Sequence, residues 1–210
     1  MIILFDLDGT LIDSTEAILE SFAVAFQTHG REVPNDRAIK AEIGHPLDVM
    51  FPTLGIPQEE VQAHILAYKE QYRKIYCQKT FLLPRAREAV VLASKYAKLG
   101  VVTTKTAKYS RELLEHMGLM NYFDVLIGRE DVEYPKPHPE PIFKALSKLD
   151  SDKSKYWMIG DTPMDILAAN AAKINSVAVT CGYADIESLK KYTNNLCDTA
   201  FEAVQYITLS

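Results

Sequence analysis

The sequence predicts an α/β fold, a parallel sheet with helices on both faces, into which a smaller helical domain is inserted. Three observations carry this. Short unbroken apolar runs end on Asp or Gly, segments of helical periodicity lie between them, and one long stretch near the N-terminus shows helical periodicity without a convincing strand. A run that is apolar at every position suits a strand buried on both faces, as in a parallel sheet covered by helices.

The first strand is Ile2-Ile3-Leu4-Phe5, closed by the turn signal Asp8-Gly9-Thr10. Residues 14–83 then break the rhythm. Ile18, Phe22, Ala25 and Phe26 share one helix face, and a second helix, starting after Pro57, stacks Val61, Ile65, Tyr68, Tyr72 and Ile75. That tyrosine stripe reads as a packed helix face. Between the two, Gly44, Pro46, Pro52, Gly55 and Pro57 mark a turn-rich stretch. Further on, Ala86, Ala89, Val90, Ala93, Tyr96 and Ala97 outline a helix, and Val101-Val102-Thr103 a strand following Gly100. Phe123 to Ile127 reads as a strand ending at Gly128. Ile142, Phe143, Ala145, Leu146 and Leu149 give a helix, and Tyr156 to Ile159 and Ser176 to Thr180 the last strands. The expected division is a core of residues 1–13 and 84–210 and a helical domain of 14–83.

At 210 residues the chain can bury a sizeable core, and 48% apolar with 24% charged residues excludes a disordered, collagenous or disulfide-scaffold protein. Twenty-three Lys and Arg against 28 Asp and Glu leave a net charge of −5, so no broad basic field attracts nucleic acid or an anionic membrane. Cys77, Cys181 and Cys197 lie far apart without metal-ligand spacing, and an odd set cannot all pair internally. A reducing cytoplasm is the expected location. Met1 to Phe5 lacks a basic flank and stops at Asp6, so it is read neither as a signal peptide nor as a membrane span.

Two acidic segments stand at strand ends. Asp6 and Asp8 are two residues apart, and on an extended chain that spacing points both carboxylates to one side. In an open parallel sheet the carboxyl ends of the strands form the ligand crevice, so that side faces a substrate. Gly160-Asp161-Thr162-Pro163-Met164-Asp165 follows another strand, with Pro163 suited to a first helical position. Taken alone, Thr162-x-x-Asp165 is equally a capping box.

Together these residues resemble the haloacid dehalogenase superfamily of hydrolases, in its phosphatase branch with a helical cap inserted after the first strand. The match spans essentially the whole chain. Its motifs are Asp6-x-Asp8-Gly9-Thr10, Thr103 closing a strand, Lys136 within Pro135-Lys136-Pro137-His138-Pro139, and Gly160-Asp161-Thr162-x-x-Asp165. Dehalogenases of the family usually lack the second acid of the first motif. Asp8 therefore favours phosphoryl transfer over carbon–halogen cleavage.

The resemblance implies a Rossmann-like core and a defined chemistry. Asp6 is the expected nucleophile, attacking phosphorus to give an aspartyl phosphate. Asp8 is the expected general acid and base. Asp6, Asp8 and Asp161 clustered beside a phosphate would repel one another without a cation, and oxygen-only ligands point to Mg²⁺. The expected ligands are the Asp6 and Asp161 carboxylates and the Asp8 carbonyl, with Asp165 bracing the metal site. Thr103 and Lys136 are expected around the phosphoryl group, and Gly9, Thr10 and Thr104 as further phosphate-binding residues. Thr104 stands where many relatives carry Asn. The prolines at 135, 137, 139 and 141 are expected to hold the Lys136 loop extended and stiff.

In the cap, Gly44-His45-Pro46-Leu47 resembles the loop that relatives lay over the active site, which assigns Gly44 and His45 to substrate specificity. β-Phosphoglucomutase-like members place Ser and Arg just after that glycine. The expected activity is Mg²⁺-dependent hydrolysis of a small phosphorylated metabolite, a phosphoglycolate-like monoester or pyrophosphate, by a monomer or homodimer. A sugar phosphomutase and a non-catalytic regulatory module are the alternatives. No loss of the nucleophile or a metal ligand marks the latter.

Overall fold

The computed structural model describes residues 1–149 and 155–209. It divides into two compact units, Met1–Asp13 with Leu82–Ser210, and Ser14–Phe81. The chain runs through β1 (Ile2–Phe5) and β2 (Ile12–Asp13), then four helices: α1 (Thr15–Thr28), α2 (Asp36–Glu42), α3 (Leu47–Thr53) and α4 (Val61–Ile75). After β3 (Phe81–Leu82) strands and helices alternate: α5 (Ala86–Ala93), β4 (Lys98–Val102), α6 (Ala107–His116), β5 (Val125–Ile127), α7 (Glu140–Lys148), β6 (Tyr156–Gly160) and α8 (Pro163–Ala172). The last elements are β7 (Asn175–Val179), α9 (Ile186–Lys190), β8 (Leu196–Cys197) and α10 (Ala200–Leu209).

The main sheet has six parallel strands in the order β5-β4-β1-β6-β7-β8, with helices around it. All four residues of β1 are fully buried, each contributing about 1.5–3 kcal/mol of burial. Ile2, Leu4, Val102 and Met158 pack with Ile142 and Ala145 of α7 and Ala168 and Ala169 of α8. Ile3 and Phe5 alternate to the opposite face, where Phe5 meets Phe123 edge-on. Because Phe5 lies level with Val101 and Ile159, β1, β4 and β6 end together, and the next residues, Asp6, Thr103 and Asp161, emerge at one edge. This is also where the strand order reverses about β1.

The helical unit follows its sequence pattern. Val61, Ile65, Tyr68, Tyr72 and Ile75 are buried, and Phe22 of α1 lies 4.8 Å from Phe51 and 4.9 Å from Tyr68, ring centre to ring centre. The turn-rich stretch contains two seven-residue helices instead. Asn35 caps α2 by accepting the Ala38 N–H, and Pro52 sits near the end of α3.

Other local readings are corrected. The strand read from Val101 begins at Lys98 and includes Gly100, whose bare Cα is a packing requirement, since a Cβ there would lie 2.7 Å from Leu4 and Val125. Tyr96 and Ala97 lie beyond the end of α5, and Tyr96 is exposed. Phe143 also faces solvent, because α7 buries a narrower stripe of Ile142 and Ala145. Among the described residues no helix is long and apolar enough to cross a membrane.

Candidate active site

Asp6 stands one residue beyond β1, its N–H given to the Ile159 carbonyl of the neighbouring strand at 2.8 Å. Carboxylate oxygens of Asp6, Asp161 and Asp165 all lie within 4.8 Å of one another, and all three residues are buried. The Lys136 ammonium enters this group, donating to Asp6 Oδ1 at 2.8 Å, Asp165 Oδ1 at 2.5 Å and the Val102 carbonyl at 3.0 Å. Its three N–H bonds are thereby all used.

Three buried acids with one ammonium leave the pocket short of positive charge. Burial pushes the Asp6 carboxyl up, to about 7, with Lys136 opposing the rise and Asp165 adding to it. Asp161 is raised well above the usual carboxylate range, by burial first and then by Asp6 and Asp165. Burial works against the Lys136 ammonium too, but Asp165 and Asp6 outweigh it and hold the lysine above its ordinary range.

The Asp161 carboxylate is gripped by neutral donors, Thr10 Oγ1 at 3.0 Å on one oxygen and the Tyr183 N–H at 2.9 Å on the other. Two glycines make room for it. A Cβ on Gly9 would lie 2.2 Å from Asp161 Oδ2, and one on Gly182 would lie 2.1 Å from it. Gly9 has a second reason to be glycine, a φ of +83°. Such oxygen-only donors, under-neutralised and held in a fixed cradle, fit a hard divalent cation. Neither His nor Cys belongs to the cluster. The nearby Cys181 thiol is pushed up to about 11 by burial and by Asp161, which keeps it protonated and unreactive.

The side chain that joins Asp6 and Asp161 is that of Asp165, whereas Asp8 Oδ2 is held 3.0 Å from Lys105 Nζ. After β1 the Leu7 carbonyl accepts the N–H groups of Leu11 and Ile12, closing a tight loop. Lys105 is mounted on the segment after β4, where its N–H donates to Thr103 Oγ1 at 3.1 Å. Thr103, buried, donates its own N–H to Ile127.

Several expected roles shift with these contacts. The Gly9 N–H goes to the Ile12 carbonyl at 2.8 Å, so it does not point a donor at a phosphate. Thr10 spends its hydroxyl on Asp161. Asp165 acts as a brace: Oδ1 holds Lys136, and Oδ2 accepts from the Thr162 N–H and hydroxyl, forming the capping box at the start of α8. Thr104 lies half-buried beside Thr103. The Lys136 loop is not extended. His138 N–H returns to the Pro135 carbonyl at 2.9 Å, making a turn around a cis Lys136–Pro137 bond, and the Glu140 carboxylate ties down the N–H groups of Glu133 and Tyr134. Gly44, at φ +107°, and His45, donating its N–H to Glu42, form the turn between α2 and α3 in the helical unit.

Sequence reasoning missed Lys105, Gly182 and Tyr183, and read Thr162 correctly as a capping residue. For Lys105 a signal was present: it stands two residues after Thr103, at the end of a strand.

Comparison with known proteins identifies the family. Residues 3–179 match the family model described as haloacid dehalogenase-like hydrolase. The chain is 35% identical over 191 residues to the "Putative pyrophosphatase PpaX" of Caldanaerobacter subterraneus subsp. tengcongensis, covering 90% of this chain and 86% of that protein. It is 31% identical over 186 residues to the phosphoglycolate phosphatase of Yersinia pseudotuberculosis, covering 85% and 80%. A haloacid dehalogenase-like family hydrolase from Streptococcus pneumoniae superposes with a TM-score of 0.87 at 26% identity, covering 98% and 97% of the two chains. With a family model spanning most of its length and relatives above 30% identity covering most of both chains, the chain belongs to the haloacid dehalogenase-like hydrolases.

Proposed function

We propose that the chain is a divalent-cation-dependent phosphatase that hydrolyses a small phosphorylated metabolite through an aspartyl phosphate on Asp6. The observation that carries the reading is the buried Asp6 carboxylate at the carboxyl end of the central strand, grouped with Asp161 and Asp165 and touching Lys136. Asp6 is fixed through its backbone to β6 and through Oδ1 to Lys136, which leaves Oδ2 as the attacking oxygen. In-line attack forms an Asp6 Oδ2–P bond and breaks the bond to the leaving oxygen. Asp8 gives that oxygen a proton and later takes one from the water that cleaves the aspartyl phosphate. Thr103 offers its hydroxyl, and Lys136 holds Asp6 and Asp165 in register.

Mg²⁺ is the cation the donor set suits, held by the Asp6 and Asp161 carboxylates and the Asp8 carbonyl; when bound it supplies charge neutralisation between acids and phosphate. The names of two relatives, a pyrophosphatase and a phosphoglycolate phosphatase, support pyrophosphate or a phosphoglycolate-like monoester as substrate. We assign selection among such substrates to the helical unit, and within it to the Gly44–His45 turn.

The test is phosphate release from a panel of phosphorylated metabolites by wild type and by Asp6→Asn, which keeps the side chain's shape but removes the attacking charge. Loss of turnover by several orders of magnitude in a folded variant is expected. Near wild-type hydrolysis by Asp6→Asn refutes the assignment.

A further inference from the structure

We propose that Lys105 is a positioning residue that aims the Asp8 carboxyl group, and that both proton transfers of the reaction depend on it. The inference rests on the reading of Asp8 as general acid and base. The contact is Lys105 Nζ to Asp8 Oδ2 at 3.0 Å, between side chains only 10% and 12% exposed. Other lysine pairs, such as Lys74–Glu70 and Lys190–Glu187, lie open to solvent one helical turn apart and are worth little.

What makes the contact a mount is the fixing of both backbones. Lys105 gives its N–H to Thr103 Oγ1 at 3.1 Å and its carbonyl accepts the Arg129 N–H at 3.0 Å, while Thr103 is tied to β5 through Ile127. On the other side, Gly9 N–H to Ile12 and the bonds to the Leu7 carbonyl close the loop that carries Asp8. With the two loops anchored to adjacent strands, the freedom left to Asp8 is rotation of its own side chain. The ammonium restrains that rotation at one carboxylate oxygen.

Proton transfer needs that restraint. The carboxyl must come within hydrogen-bond reach of the leaving oxygen, and a misplacement of about 1 Å costs on the order of a hundredfold. In the first half-reaction the Asp8 proton passes to the leaving oxygen as its bond to phosphorus breaks and the Asp6 Oδ2–P bond forms. In the second, water loses a proton to Asp8 as its oxygen bonds phosphorus and the Asp6 Oδ2–P bond breaks.

The experiment compares kcat/KM for a simple alkyl phosphate, whose alkoxide leaves only with a proton, and p-nitrophenyl phosphate, whose phenolate leaves without one. Asp8→Asn, Lys105→Met, Lys105→Arg and the Asp8→Asn/Lys105→Met double variant are measured with both. The alkyl ester is expected to lose roughly 10- to 100-fold in Lys105→Met, at least several-fold more than the aryl ester, with Lys105→Arg recovering part of the loss. In the Asp8→Asn background the lysine change is expected to cost no more than about twofold further, and melting temperatures of the cation-free proteins to show the same non-additivity. Equal losses on both esters from Lys105→Met, or a full additional loss in the double variant, overturn the proposal. Asp8→Asn losing both esters equally refutes the acid–base reading of Asp8 itself, a different failure. If Lys105→Met does not fold, Lys105→Gln carries the same comparison.

Discussion

Gly182→Ala isolates the cradle of Asp161 from every charged group in the site. The glycine contributes no side chain to the chemistry, and its backbone is one that alanine adopts, since it lies outside the left-handed region. The added methyl would stand 2.1 Å from Asp161 Oδ2 and 2.4 Å from its Cβ and Cγ, so the carboxylate must move by about 1.3 Å to reach ordinary contact near 3.4 Å. Gly9 approaches the same oxygen within the space of a single methyl, which narrows the room for that movement. Displacement therefore breaks the bonds from Thr10 at 3.0 Å and Tyr183 at 2.9 Å, each worth about 1.5–3 kcal/mol to a charged acceptor. Overpacking of this kind costs stability by about 1–3 kcal/mol, which leaves a folded protein. The larger effect falls on the site: Mg²⁺ affinity, read by titration calorimetry, drops by roughly 10- to 100-fold, and kcat/KM by on the order of a hundredfold. Cation affinity and turnover both within about twofold of wild type would refute the cradle argument.

The remaining predictions concern the cation, the buried acids and the helical unit. Chelation abolishes activity, Mg²⁺ restores it and Ca²⁺ substitutes poorly, because its larger and looser shell does not hold the octahedral geometry; full activity in excess chelator contradicts this. In the cation-free protein the folded Asp6 carboxyl titrates near 7 against 3.8 for a free group, so between those values the folded chain holds a proton that the unfolded chain has released. Stability then falls as pH rises through that window, and excess Mg²⁺ flattens the slope; thermal melts that rise with pH in the absence of cation contradict it. His45→Ala reorders substrates by kcat/KM while leaving the cation requirement intact, and an identical ranking across the panel removes His45 from the specificity argument.

What the sequence made legible was whatever depends on pattern over several residues. An unbroken apolar run such as Ile2 to Phe5 must be buried on both faces, and a stripe such as Tyr68, Tyr72 and Ile75 must face a core, so the sheet and the long helices were readable. The acids at strand ends were readable too, because parallel strands bring their carboxyl ends to one edge. The partners of those acids were not. That Asp8 meets Lys105 depends on how the loop after β1 closes on the Leu7 carbonyl, a matter of backbone hydrogen bonds between residues with no distinctive side chains. Gly182 carries no chemical label at all; its role exists only because Asp161 fills the space where its side chain would be. The alternating prolines misled for a related reason, since they bias their neighbours toward extended backbone while the turn at Lys136–Pro137 is set by contacts at both ends of the loop.

The central claim is covalent: phosphorus passes through Asp6. Asp8→Asn with p-nitrophenyl phosphate and Mg²⁺ tests it most directly, because the first displacement needs no proton from residue 8 whereas cleavage of the intermediate needs its base. The expected result is a burst of about one equivalent of nitrophenolate per chain, followed by slow turnover, with borohydride converting Asp6, mapped by peptide mass, to the alcohol an acyl phosphate yields. Steady turnover with neither a burst nor any reduction at Asp6 would contradict the account.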